Sequence, residues 1–474
     1  MSKKCDRGMS FDDCELTILR AAVDDAEEKI GKKIINSPEI QKIIEIVENF
    51  IKKKNLICYG GTAINNILPR EDQFYNREIE MPDYDFFTSN ALDDAVELAD
   101  LYFHSGFTEV EAKSGQHFGT FKVFVNFIPV ADVTNVPKEL YQRLKAQSIK
   151  VAGIYYAPPN YLRMSMYLEL SRPAGDTSRW EKVLKRLTLL NKHYPLTAHQ
   201  CLHIDFQREM ADKVHGQEIY ETVKETLINQ SVVFFGGYAI SLYSKYMPIA
   251  LQKQLKKIPD FDVISNDPET TAEIIKERLK DINIKNVKII KRAPISDVIP
   301  EHLQIQVGPD TIAFIYHPIA CHSYNNIVVQ GKIIRVATID TMLSYYLAFL
   351  YTGRSYYDVD RILCMAKFLF EVQQKNRLEQ KGLLKRFSIT CYGHQESREE
   401  MRAEKSEKFK ELKDKRGTRE FDEWFLTYRP VDAFRVKEEN RKPKKNNKST
   451  SKTRKSNNKQ KSQKRGRGGF FIFK

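Results

Sequence analysis

Three acidic residues and two glycines in the first third of the chain could do chemistry: Asp83 and Asp85 in "MPDYDFFTSN", Asp132 in "FIPVADVT", and Gly60 and Gly61 in "CYGGTAINN". On a β-strand, side chains at i and i+2 leave from one face, so Asp83 and Asp85 point together while Tyr84 and Phe86 point away. Two carboxylates side by side repel, and the pair is costly unless a cation sits between them. Magnesium is the natural occupant, with manganese as its substitute. Asp132 lies between Ala131 and Val133 in an apolar strand, where a lone carboxylate is unexpected unless something binds it. A Gly-Gly turn between a strand and a helix offers bare N–H groups on which a phosphate can rest, with the Thr62 hydroxyl beside them. Taken singly, a Gly-Gly pair is usually an empty turn and an Asp-x-Asp pair an exposed strand end. In the order strand, Gly-Gly, helix, Asp-x-Asp strand, helix, strand with one Asp, they make a two-metal nucleotidyl-transfer site.

The elements that must position these residues can be read on either side of them. Ser37-Pro38-Glu39 starts a helix, with Ile40, Ile43, Ile44, Val47 and Ile51 at helical spacing. The short strand "LICY" leads into the glycines, and "TAINNIL" is a second helical piece stopped by Pro69. Residues 70–81 are a polar loop, 91–104 a helix, and "TFKVFV" and "FIPVADVT" two apolar strands. The chain then repeats itself. Gly60-Gly61 recur as Gly236-Gly237 in "FFGGYAISLY", and Pro82-Asp83-Tyr84-Asp85 as Pro259-Asp260-Phe261-Asp262. A helix from Pro268 to about Asp281 and the strands "VKII", "HLQIQV" and "TIAFIYH" follow. The third acid is missing from this copy: Phe314 or Tyr316 takes the place of Asp132, and Asp310 falls in a turn, "GPD". The second copy is therefore expected to have lost catalysis and to form the other wall of a cleft. Residues 338–380 are expected to be helical and to pack on it, and 398–423 to form an exposed charged helix. Between the copies, Arg163, Arg172, Arg179, Lys182, Lys185, Arg186 and Lys192 are interleaved with Tyr161, Trp180 and Tyr194. Such a mixture suits a triphosphate and base stacking, while the spacing of Lys182, Lys185 and Arg186 equally suits a solvated helix face.

At 474 residues, 42% hydrophobic and 29% charged, the chain has room for two or three cores. No apolar run is long enough for a membrane span, and the first residues lack the apolar stretch of a signal peptide, so a soluble intracellular protein is expected. The seven cysteines are scattered, without a CxxC pair, and indicate neither a disulfide framework nor a zinc site. Cys391 and His394 in "CYGH" are expected to be a reduced thiol near a surface histidine. The net charge of +14 is local: residues 440–474 hold fourteen Lys/Arg and no acid, leaving 62 basic against 62 acidic residues in 1–439. This tail is too polar to pack and is expected to be disordered. It either attracts RNA through its charge or serves as an address or solubilising segment.

Residues 56–132 resemble the nucleotidyltransferase superfamily of DNA polymerase β and the poly(A) polymerases. The longer frame, from "YGGTAINN" through "PDYDFFTSNALDDAVELADLYFHSGF" to "YLRMSMYLELSRPAGDTSRWEKVLKRLTLLNKHYPL", is similar to the poly(A) polymerase catalytic subunit of the large nucleocytoplasmic DNA viruses, in a mimivirus-like form. Gly61 and Asp83 are further apart than in most of the superfamily, which implies an insert before the Asp strand. The resemblance implies an α+β fold of two tandem polymerase β-type domains, each a mixed sheet with flanking helices, the second degenerate. The boundaries are an N-terminal segment 1–36, a catalytic domain with its following helices 37–195, a degenerate domain 196–335, a helical region 336–436 and a basic tail 437–474. It also implies transfer of AMP from ATP to an RNA 3′ end, with Asp83, Asp85 and Asp132 as catalytic metal ligands. Gly60, Gly61, Thr62, Arg163 and Lys182 would bind the nucleotide. Partners would be RNA, ATP and either a second copy or a processivity subunit, in the host cytoplasm and the virion. The same trio would serve a uridylyl- or CCA-adding enzyme or an oligoadenylate synthase, and the same fold a non-enzymatic RNA-binding protein.

Overall fold

Ser37 caps the helix that backs the site. Its hydroxyl accepts from the Ile40 N–H at 3.3 Å, Pro38 occupies the first turn, and helix α2 (Pro38–Lys54) follows. Ile40, Ile43, Val47, Phe50 and Ile51 form its buried face. Burial of each such side chain contributes roughly 1.5–3 kcal/mol. Asn55, in the left-handed conformation, ends the helix. The computed structural model describes residues 8–207, 214–252, 255 and 259–433. The expectation of a disordered tail at 437–474 lies outside them.

Among the described residues the fold is mixed α+β, with two eight-stranded sheets and fifteen α-helices. The first sheet has the order β16-β3-β4-β5-β2-β1-β7-β6. Its strands are β1 (Ile57–Cys58), β2 (Tyr84–Thr88), β3 (Val110–Ser114), β4 (Thr120–Val125), β5 (Ile128–Asn135), β6 (Ile149–Val151), β7 (Ile154–Tyr156) and β16 (Thr427–Tyr428). Strands β2 and β5 run parallel, as do β1 and β7, and the remaining neighbours are antiparallel. Along β4 the burial alternates strictly, so one face packs on helix α4 (Ala91–His104) while the other stays half open.

The second sheet contains β8 (Val233–Phe234), β9 (Phe261–Ile264), β10 (Val287–Arg292), β11 (His302–Val307), β12 (Asp310–Tyr316), β13 (His322–Val329), β14 (Lys332–Ala337) and β15 (Cys391–Tyr392). Its order, β10-β11-β12-β9-β8-β14-β13-β15, matches the first strand for strand, apart from the edge strands β16 and β15. The directions match too: β9 runs parallel to β12, and β8 to β14. The strand and helix expectations around both glycine pairs hold, with α11 spanning Pro268–Asp281.

Five features differ from the sequence reading. The 398–423 region is two helices, Arg398–Leu412 and Arg419–Phe425, rather than one. The N-terminal segment holds a 25-residue helix, α1 (Phe11–Ile35). The glycines do not precede the next helix but make its first turn, α3 (Gly60–Ile67). Helix α12 (Ile339–Phe349) packs on α6 (Pro159–Leu170) as well as on α13 (Val359–Lys375), so the 338–380 region grips the first half too. The cysteines are not all reduced: Cys201 bonds Cys364 and Cys321 bonds Cys391, with Cα separations of 5.5 and 5.2 Å. Partners 163 and 70 residues apart meet only in the fold, which is why their spacing shows no framework. His394 pairs with Glu400 at 3.0 Å.

Candidate active site

Gly60 has φ +71°, a conformation that L side chains rarely adopt, and a β-carbon there would strike the Asp85 carboxylate. The carboxylate thus sits against the turn because the residue is glycine. At Gly61 a β-carbon would lie 2.5 Å from the Tyr75 hydroxyl and 2.8 Å from an Arg186 guanidinium nitrogen. The Thr62 hydroxyl donates to the Asp83 carbonyl at 2.6 Å and is itself buried. It fastens the acid strand to the glycine turn, which corrects the expectation of a hydroxyl available to phosphate.

Asp83 precedes β2, Tyr84 and Phe86 point into the core, and Asp85 faces the open side. Asp85 and Asp132 are register partners on parallel strands. A β-bulge aims Asp132. Val125 pairs with Ile128 and Phe124 with Pro129, but Val123 pairs with Ala131, leaving Val130 as an extra residue. Without it, Asp132 would oppose Phe121 on the buried face; with it, Asp132 opposes Lys122 on the open face beside Asp85.

Burial, then the neighbouring Asp83 and Asp132, raise the Asp85 pKa to about 7. Asp83 is also raised, by burial and then by Asp132, with Lys122 opposing. This mutual repulsion and the all-oxygen donor set fit a hard divalent cation. Lys122 pairs with Asp132, its Nζ 2.5 Å from Asp132 Oδ2. Among the described residues no group of three or more His, Cys, Asp and Glu is assembled closely enough to hold an ion. The acids therefore share a face without forming a closed cage.

Cations approach from α7 (Trp180–His193). Arg186 donates to the Tyr75 hydroxyl at 2.6 Å and lies 4.7 Å from the Phe74 ring centroid. Lys182 is exposed, and Arg186, then burial and Arg179, lower its pKa. Arg163 is corrected: it is fully buried and donates to Asn160, to the Tyr194 carbonyl and, at 2.7 Å, to Asn191, leaving no exposed face for a phosphate. Of the interleaved aromatics, Trp180 and Tyr194 are half-buried with their polar atoms turned inward, and Tyr161 is buried. Trp180 donates to the Glu169 carbonyl and Tyr194 to that of Ile67. A cavity of about 300 Å³ beside the turn is lined by Thr62, Asn65, Asn66, Tyr75, Arg77 and Asp83, among others.

Residues 45–176 match the family model of the poly(A) polymerase catalytic subunit. The match includes the turn and all three acids. A poly(A) polymerase catalytic subunit, so named provisionally, from African swine fever virus (isolate Pig/Kenya/KEN-50/1950) is 32% identical over 210 residues, 41% of this chain and 43% of that protein. One from Acanthamoeba polyphaga mimivirus, named the same way, is 27% identical over 220 residues, 44% of this chain and 36% of that protein. The alignments thus span about two fifths of the length of these poly(A) polymerase relatives. The crystal structure of the Megavirus polyadenylate synthase superposes with a TM-score of 0.76 at 20% identity, over 92% of this chain and 90% of that one. At that identity the shared property is the fold.

The second half keeps the frame and loses the acid. A β-carbon on Gly236 would again strike a carboxylate, that of Asp262. The bulge recurs: Gln306 pairs with Thr311 but Ile305 with Ala313, which places Phe314 opposite Asp262 as Asp132 is opposite Asp85. Of the two residues open in the sequence, Phe314 is the counterpart. It is fully buried, and the space beside Asp260 and Asp262 is about 40 Å³.

Proposed function

We propose that the chain is a template-independent nucleotidyltransferase that adds AMP from ATP to an RNA 3′ end at Asp83, Asp85 and Asp132. The observation that carries this reading is the register of Asp85 with Asp132 on the open face, beside a glycine turn whose first β-carbon would displace the carboxylate. It is supported by the family match over residues 45–176.

Magnesium or manganese held by the three acids would neutralise phosphate charge and make the 3′-hydroxyl a better nucleophile. The chain's own residues do the rest. The N-terminal turn of α3 presents N–H groups to the triphosphate, and Gly60 and Gly61 let it approach. Lys182 and Arg186 offer positive charge to the departing pyrophosphate, with Arg186 taking the role expected of Arg163. Thr62 and the bulge at Val130 hold the carboxylates against that turn, so alignment costs little at the moment of transfer. The two sheets are read as tandem copies of one nucleotidyltransferase domain. The second cannot complete the trio because a buried ring stands where the third acid would be.

Primer extension with each of the four nucleoside triphosphates tests the reading. Extension with ATP well above the other three is expected. Preferential addition of UMP or CMP would assign another member of the superfamily, and no extension with any triphosphate would leave an RNA-binding protein on this fold.

A further inference from the structure

The open face of the first sheet continues past the acids. Thr120 and Lys122 share it with Thr134 and Asp132, their register partners, and Thr120 bonds Thr134 at 3.1 Å. Just before β4 the loop 115–119 carries Phe118, which is 57% exposed. Its ring centroid lies 4.5 Å from that of Trp424, on α15 (Arg419–Phe425), with planes 37° apart. Lys408, on α14 (Arg398–Leu412), lies 5.8 Å from the Trp424 ring, and Lys405 of the same helix donates to the Gly115 carbonyl at 2.5 Å. The C-terminal helices are thus tied to the loop that raises Phe118. An exposed phenylalanine adds nothing to the core, but paired with a tryptophan under a cation it offers a surface on which a base can stack.

We propose that Phe118 and Trp424 form a stacking platform for the single-stranded RNA whose 3′ end is extended, the strand running from there over Thr120 and Lys122 to Asp132. This rests on the nucleotidyl-transfer reading. Phe118 precedes Lys122 by four residues, at most about 13 Å of extended chain, so the platform is within short reach of the acids. The ligand is single-stranded because a duplex hides its base faces. Lys122 is paired with Asp132 and Lys408 with Glu411, so these two charges are already matched and binding here depends on stacking more than on counterion release.

The test is fluorescence anisotropy of a labelled oligoadenylate strand with the full-length protein, in the absence of ATP. Phe118→Ala is expected to weaken binding by about fivefold or more, the lower range for loss of one base stack. Trp424→Ala should do likewise and Phe118→Tyr should restore binding, with the KM for ATP unchanged in all three. Phe118 is in an exposed loop, so its replacement leaves the core untouched. If both alanine variants bind within twofold of a parent that still extends primers, the platform is wrong while the polymerase reading stands; a protein partner on this patch would give that result. If the parent does not bind the strand at all, both readings fall.

Discussion

Asp85 is held where its own charge is unwelcome. Its pKa, near 7 in the fold, lies far above the ordinary carboxylate range. The folded, metal-free protein therefore binds more protons than the unfolded chain between the ordinary carboxylate pKa and about 7. Its stability falls as pH rises through that window. Asp85→Asn removes the charge without changing the shape. At pH 8, with chelator present, the variant is expected to be more stable on the order of 2 kcal/mol, and at pH 5 the gain should shrink. Denaturant unfolding at the two pH values checks this; equal pH dependence in parent and variant would refute it. Gly60→Ala meets both a positive φ and the Asp85 carboxylate. It should cost roughly 1–3 kcal/mol and abolish most turnover while the protein remains soluble. Wild-type turnover in that variant would remove the glycine turn from the site.

The elements carry what single residues cannot, and here the sequence is only partly legible. Helix α2, with Ser37, Pro38 and five apolar residues on one face, announces itself, and so do α4 and α11. The identity and order of the three acids are plain from their neighbours. The pairing that unites them is not. A two-residue turn at Asn126-Phe127 would set Asp132 against Phe121, and only the extra residue Val130 reverses that. A bulge has no signature in residue types. Arg163 illustrates the opposite failure, since an arginine beside aromatics reads as a ligand although its helix turns it into the core. Arg186, seven residues after Arg179, reaches the turn only because α7 crosses the loop holding Phe74 and Tyr75. Arg186→Ala is expected to raise the KM for ATP about tenfold or more, with Arg186→Lys intermediate, since it removes a charge-assisted contact. Initial rates over a range of ATP concentrations measure this, and an unchanged KM would leave the triphosphate to other residues.

Across the whole molecule, the same strand order, parallel pairs, glycine contact and bulge occur twice, and one register position decides which half can hold three acids. Asp132 occupies it in the first half and a buried phenylalanine in the second. The repeat is visible in the sequence because the motifs copy one another; the residue at the third position is assignable only through the register. The basic stretch 440–474 belongs to a different physical regime. Deleting it removes fourteen positive charges from a remainder with balanced charge. RNA affinity should fall most at low salt and the salt slope should become shallower, with little change in single-addition rate at saturating primer. An unchanged salt slope, read from binding at several ionic strengths, would make the stretch an address or solubilising segment. Transfer in the first half alone is the outcome expected of this arrangement. Its most direct test is single-addition kinetics with radiolabelled ATP and an RNA primer, comparing Asp83→Asn, Asp85→Asn and Asp132→Asn with the double variant Asp260→Asn/Asp262→Asn. Each first-half variant should lose detectable addition, and the double variant should stay within a few-fold of the parent. Addition that survives in Asp132→Asn but disappears in the Asp260/Asp262 double variant would place transfer in the second half instead.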